Sequence, residues 1–151
     1  MKIMSFDVLT QDARKIREEV FIQEQGFQNE IDQIDNVARH FVMYDGKEPI
    51  AVCRVYESEK KGEFILGRLA VAKQYRGKNY GSEMVRAAVS FVTANGGNTL
   101  SLHAQCRVKE FYSSLGFHEY GAVEEDEGCP HIWMKKQLRN KNTAPAFRSI
   151  I

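Results

Sequence analysis

Arg68–Phe91 reads RLAVAKQYRGKNYGSEMVRAAVSF. Its start completes the apolar run EFILGRLAV, Glu63–Val71, which has the length and side chains of a buried strand. From Gly81 to Ala94 the chain is apolar except at Ser82, Glu83, Arg86, Ser90 and Thr93. Positions 83, 86, 90 and 93 make one narrow stripe at helical spacing, which predicts a helix packed hard against a sheet. Between strand and helix lies QYRGKNYGSE, Gln74–Glu83, a turn carrying Arg76, Gly77, Lys78 and Gly81. A helix N-terminus placed just beyond a strand gathers unsatisfied amides and a positive dipole end at one point, where a phosphate is stabilised. The two cations add charge there, and the two glycines let backbone approach closely. The same residues also suit a turn that merely caps a helix. GxxxxGK[ST] is absent and GxGxxG fails, which leaves nucleotide hydrolysis and a dinucleotide fingerprint without support.

Working outward, NGG at 95–97 stops the helix, and TLSLHA, Thr99–Ala104, alternates like a strand. Strand, helix and strand over so short a span form a crossover unit, so 63–71 and 99–104 are expected to be parallel. Upstream, ARHFVMY and PIAVCRVY flank Asp45-Gly46 and predict a hairpin. A strand at 2–8 precedes Thr10, which can cap a helix bearing Ala13, Ile16 and Val20. QEQGFQNEIDQIDN suits an irregular segment or a short helix. Downstream, VKEFYSSL reads as a short helix stopped by Gly116, before strands at 118–125 and 131–138. The class is α+β, a mixed sheet with helices on its faces.

At 151 residues the chain fits one domain, 1–138, with a C-terminal tail at 139–151. Phe147, Ile150 and Ile151 suit the tail to docking in a groove or against a second copy in a homodimer; a frayed terminus is the alternative. A net charge of +1 gives no global pull toward nucleic acid, and the Lys/Arg blocks read as solvated surface. No run approaches a membrane span and the N-terminus turns charged early, so a cytoplasmic location is expected. The three cysteines and four histidines show neither disulfide nor metal-ligand spacing, so no metal is expected.

Taken in order, the Arg68–Phe91 stretch, GGNTLSLHAQ and KEFYSSLGF resemble the GNAT superfamily of N-acetyltransferases. VFIQEQGFQNEIDQIDNVARHFV and GCPHIWMKK resemble its ElaA-like branch in particular. The resemblance spans about Phe21 to Leu138 and implies a largely antiparallel central sheet whose central parallel strand pair is splayed for coenzyme A (CoA). It implies acetyl-CoA as cosubstrate and a primary amine, of a small molecule, as acceptor, with direct transfer in a ternary complex. The family's (Gln/Arg)-x-x-Gly-x-(Gly/Ala) falls on Arg76, Gly77, Lys78, Asn79, Tyr80 and Gly81, with Ser82 following, as the pyrophosphate loop. Asn79 stands where Gly is usual, and Asn tolerates left-handed backbone better than most residues. Leu69, Ala70 and Val71 are implied to pair with the pantetheine arm as an added strand would.

Acetyl transfer from a thioester needs a neutral amine, a stabilised oxyanion and a proton for the departing thiolate. Tyr112 matches the family position that protonates the CoA sulfur; an aromatic beside Phe111 and Leu115 is otherwise a core residue. The strand position where many members carry a Glu base holds Ile65, and the nearest acid, Glu63, is expected to face solvent. His131 matches an ElaA-like His and titrates in a suitable range, the structural alternative being a satisfied core histidine. Glu24, Asp35, His40, Arg54, Arg68 and Gln105 match polar positions of that branch and are expected to line the acceptor pocket. Arg54 and Arg68, on strands, need anionic partners, for which Asp35, Glu24 or an acidic acceptor are candidates. The rivals are a non-catalytic acyl-CoA sensor and a thiol enzyme using Cys106 near His103. The second is disfavoured, because a spacing of three along a strand end sets the two on opposite faces.

Overall fold

The computed structural model describes residues 1–28 and 30–138. The expected tail at 139–151 lies outside the described residues. The strands are β1 (Lys2–Phe6), β2 (Arg39–Asp45), β3 (Glu48–Glu57), β4 (Glu63–Val71), β5 (Thr99–Gln105), β6 (His118–Asp126) and β7 (Cys129–Gln137). The α-helices are α1 (Gln11–Arg17), α2 (Tyr80–Ala94) and α3 (Lys109–Ser114). Strand order is β1-β2-β3-β4-β5-β7-β6, mixed, with β4 and β5 the parallel pair. The described residues fall into two compact units, one of Met1–Tyr56 with Leu66–Ala88, the other of Glu57–Ile65 with 89–138.

In the first unit the hairpin forms where the sequence predicts it, with Asp45 opposite Glu48 and Gly46 at φ 61°. Thr10 caps α1, its hydroxyl accepting from the Ala13 amide at 3.1 Å. Ala13, Ile16, Val20 and Phe21 pack against Val42, Val52, Ala70 and Ala72, which makes the unit's core and fixes α1 on that sheet face. The helical spacing does not continue unbroken: Glu18–Glu24 widens into a π-helix, with the Gln25 amide reaching back to the Val20 carbonyl. Such widening inserts a residue and re-aims the side chains that follow. Residues 27–28 and 30–32 are irregular, and a 3-10 turn capped by Asp32 follows over Gln33–Asn36.

In the second unit β5 and β7 pair antiparallel from Thr99↔Gln137 to Gln105↔His131, and β6 pairs with β7 around a bulge between Tyr120 and Glu124. The amides of Asn98 and Thr99 both donate to the Gly62 carbonyl at the start of β4. Glu63 is not solvent-facing as expected: its carboxylate accepts from Ser58 Oγ at 2.8 Å and Ser101 Oγ at 3.1 Å, which anchors the strand start and disfavours it as a base. The turn after α2 is tight. A Cβ on Gly97 would lie 2.3 Å from Val92 Cγ1 and 2.8 Å from Phe64 Cδ1, while Phe64 also packs edge-on against Phe91. Gly97→Ala is therefore expected to cost about 1–3 kcal/mol through overpacking, read as a lower urea midpoint.

Candidate functional site

In the first unit β4 ends at Val71, and the Ala72 amide donates to the Ile50 carbonyl at 2.8 Å, pinning the chain as it leaves the sheet. A 3-10 turn over Lys73–Tyr75 follows. The Tyr75 hydroxyl sits 3.0 Å from Glu48 and 3.1 Å from Asp45 carboxylate oxygens, and the Glu48 bond first of all pushes its pKa up to about 12. Gly77 and Asn79 are both left-handed, at φ 80° and 66°. Asn79 thus takes the conformation for which the family usually selects Gly, one that Asn accepts at modest cost. Helix α2 begins at Tyr80, and the Glu83 amide donates to the Asn79 carbonyl at 3.2 Å. The amides of Tyr80, Gly81 and Ser82 therefore lie ahead of the helical ladder, at the positive end of a 15-residue helix. Lys78 carries its Nζ 6.0 Å from the Tyr75 ring centroid.

Arg76 does something the sequence did not indicate. Its Nη1 and Nη2 each donate to a carboxylate oxygen of Glu24 at 2.7 Å, and its Nε donates to the Val71 carbonyl at 2.9 Å. Glu24, expected at the acceptor pocket and as a partner of Arg54 or Arg68, is instead fastened to the loop. The π-turn explains the difference, because it alters the direction in which residue 24 leaves the helix.

The partners of Arg54 and Arg68 are Asp32, Asp35 and Glu30. Arg54 Nη1 donates to Asp32 Oδ1 at 2.7 Å and to Asp35 Oδ1 at 3.0 Å. Arg68 Nε donates to the Glu30 carbonyl at 2.8 Å, and its Nη2 lies 3.4 Å from Asp32 Oδ2. Arg17 completes the set, bonded to Glu30 and bidentate to Asp35 at 2.7 and 3.0 Å. Burial pushes the Asp35 carboxyl up, yet the bonds from Arg17 and the Asp32 amide outweigh it and hold the group well below the carboxylate range. His40 sits behind this network at 1% exposure, its Nε2 2.9 Å from the Asp35 carbonyl, and burial lowers its pKa. His40 and Arg54 are consequently internal partners of the network in place of the expected pocket-lining residues. Arg68 is the member nearer solvent, and it holds φ 54° inside β4, a left-handed residue in mid-strand. Backbone held so at a non-Gly position persists only where its surroundings over-determine it, and here the side chain is held by the Glu30 carbonyl and the Glu30 and Asp32 carboxylates.

In the second unit Tyr112 lies on α3, 9% exposed, with ring centroids 5.0 Å from Phe111 and 5.9 Å from Phe117. His131 is buried on β7 opposite Gln105 of β5 and Glu124 of β6. Its Nδ1 is 2.8 Å from the Cys129 carbonyl, an acceptor only, so Nδ1 carries the proton and Nε2 is the basic nitrogen. Gln105 Oε1 accepts from Arg107 Nε at 2.9 Å. His103 stacks between His131 and Trp133, at 4.9 and 4.8 Å, with Nε2 3.4 Å from Glu124. Burial, then the neighbouring His131, lowers its pKa. Its contacts are thus with rings and an acid, and Cys106 lies in the 3-10 turn Cys106–Val108. Among the described residues no three His, Cys, Asp or Glu side chains group as a metal site, and no helix is long and apolar enough to cross a membrane.

Known proteins resemble this chain in sequence and fold. The acetyltransferase (GNAT) domain family matches residues 8–138. YjcF of Bacillus subtilis (strain 168), an uncharacterized N-acetyltransferase, is 33% identical over 128 residues, 83% of this chain and 90% of its own. ElaA of Escherichia coli (strain K12) is 28% identical over 109 residues, 71% of each chain. The crystal structure of E. coli ElaA covers 91% of this chain and 100% of its own, with a TM-score of 0.79 at 24% identity. An aminoglycoside 6'-N-acetyltransferase solved with coenzyme A has a TM-score of 0.72 at 17% identity, over 91% of this chain and 97% of its own, which speaks to fold alone. The expected sheet with its parallel β4–β5 pair is therefore that of a known superfamily, and the sequence match runs through the turn at Arg76–Gly81: the chain belongs to the GNAT acetyltransferases.

Proposed function

We propose that the protein transfers the acetyl group of acetyl-CoA to a primary amine of a small molecule, directly, in a ternary complex. The observation that carries this is the loop between β4 and α2, where left-handed Gly77 and Asn79 feed the chain into the first turn of α2, whose leading amides lie ahead of the helical ladder. Those amides, with Lys78, fit a diphosphate, and the backbone of Leu69, Ala70 and Val71 would pair with pantetheine. The aminoglycoside acetyltransferase of the same fold was solved with coenzyme A, which supports this choice of cosubstrate. Tyr112 is assigned to deliver a proton to the departing thiolate. Nε2 of His131 is assigned to take the proton of the acceptor ammonium, directly or through water. Arg68 and Gln105 are assigned to the acceptor side.

Calorimetry with acetyl-CoA on Gly81→Glu tests the loop. A carboxylate in the first helical turn suits the helix dipole, so folding is retained, while like charge at the anion site is expected to weaken binding about 100-fold. Unchanged affinity would remove the loop from the site. An acetyl-transfer assay across amines, amino acids and peptides tests the chemistry, and binding without any transfer would favour an acyl-CoA sensor.

A further inference from the structure

The first residue of the loop motif is engaged by a carboxylate of the chain itself. Arg76 offers two bidentate edges; Glu24 fills one with two bonds of 2.7 Å, and the Val71 carbonyl takes the Nε of the other. The side chain therefore ties three things together: the end of β4, the start of the loop and the last residue of the π-helix. Packing of Val20 and Phe21 against Ala70 and Ala72 holds the π-helix to the end of β4 from the core side. On the outer side, next to the loop, Glu19, Val20, Gln23 and Glu24 of the π-helix and Lys73 and Gln74 of the turn line an open cavity of about 300 Å³, which the Arg76–Glu24 pair borders. The backbone bond at this point is long, Arg76 N–H to the Lys73 carbonyl at 3.3 Å. Both side chains of the pair are about 40% exposed, so its contribution to global stability is small and its effect is local geometry.

We propose that Glu24 is a positioning residue for the coenzyme loop, acting through Arg76 to hold the loop amides where a diphosphate needs them. This rests on the reading that the loop carries pyrophosphate. The sign of one measurement decides it. Simple electrostatics says that removing a carboxylate near an anion site tightens anion binding and frees an arginine for phosphate. A clasp predicts the reverse.

The experiment is calorimetry of CoA, and NMR titration of pantetheine, which lacks the diphosphate, on wild type, Glu24→Ala, Arg76→Glu and the exchanged pair Glu24→Arg with Arg76→Glu. For Glu24→Ala the dissociation constant for CoA is expected to rise roughly tenfold, the scale of one lost preorganising contact. Pantetheine binding stays within about twofold and the melting temperature is nearly unchanged, whereas the exchanged pair, which restores the ion pair but not the bond to the Val71 carbonyl, recovers part of the CoA affinity lost by Arg76→Glu alone. Tighter or equal CoA binding by Glu24→Ala overturns the proposal, as does a loss that pantetheine shares. If Gly81→Glu abolishes CoA binding while Glu24→Ala does not, the clasp alone fails; if wild type binds no CoA, the loop assignment fails with it.

Discussion

Tyr112→Phe is expected to lower the rate of acetyl transfer about 100-fold, within the range a single general acid supplies. The affinity for acetyl-CoA should stay within about twofold, because the substitution removes one oxygen and keeps the ring. The packing argument makes the prediction sharp. The ring already has its partners, Phe111 at 5.0 Å and Phe117 at 5.9 Å, and at 9% exposure it is core by any physical criterion. A core role is thus satisfied equally by Phe, and only a role for the hydroxyl separates the two residues. The assigned acid acts on the leaving thiolate, a group formed only as the tetrahedral intermediate collapses, so its loss falls on kcat and leaves ground-state binding alone. Single-turnover transfer and calorimetry on the same preparation check both halves. A variant with wild-type turnover would take Tyr112 out of the mechanism and return it to the core.

The elements around the loop were legible because each carried a local signal. Glu63–Val71 is apolar and bounded by Gly62 and the polar turn, and it is found as β4 with those limits. The α2 stripe is seen as designed by spacing, with Glu83, Arg86 and Ser90 exposed over buried Met84, Val85, Ala88 and Val92. Asn79 was legible too, as a left-handed residue at a Gly position. What was illegible lay in contacts far along the chain. Arg17 sits in ARKIREEV, where its neighbours read as a charged helix face, yet it is almost wholly buried against residues 30 and 35. Two arginines on neighbouring strands had indicated a need for carboxylates, and Asp35 was among the candidates, but the spacing of Glu30, Asp32 and Asp35 in an irregular segment gives no period to read. The π-turn at Glu18–Glu24 is equally silent, since one inserted residue leaves the apolar pattern of Ala13, Ile16 and Val20 intact. It nonetheless set Glu24 against Arg76 of the loop after β4 and not against Arg54 or Arg68. Arg68 reads as one more residue of a strand, and only the backbone reveals its φ of 54°.

Asp35→Asn is expected to destabilise the protein by about 3–5 kcal/mol, the cost of breaking a buried ion pair by removing one partner. Asp35 Oδ1 accepts from both Arg17 and Arg54, and Oδ2 accepts from Arg17 and from the Asp32 amide. An amide of the same shape would leave two guanidiniums, 1% and 4% exposed, short of a counter-charge and would turn an NH2 toward one of them. Were the pair worth only what exposed pairs are worth, the loss would stay below about 1 kcal/mol, so the magnitude itself tests whether the network is a single buried unit. Against a total stability of about 5–15 kcal/mol, the larger figure lowers the melting temperature by about 10 °C or more. The pH dependence carries a sign. Asp35 has its folded-state pKa below the unfolded value of about 3.9, so the unfolded chain binds the proton first as pH falls. Its stabilisation is complete above about pH 4 and declines as pH drops toward the folded value. His40, whose pKa burial lowers, adds an earlier decline that begins as pH falls through about 6.5. Urea denaturation of wild type and Asp35→Asn between pH 7 and 3 should therefore show two curves that both fall through the His40 range, the variant's more steeply because it lacks the Asp35 charge that favours protonated His40, and that begin to converge below pH 4. A gap that stays constant to pH 3 would mean that Asp35 does not carry its charge into this network.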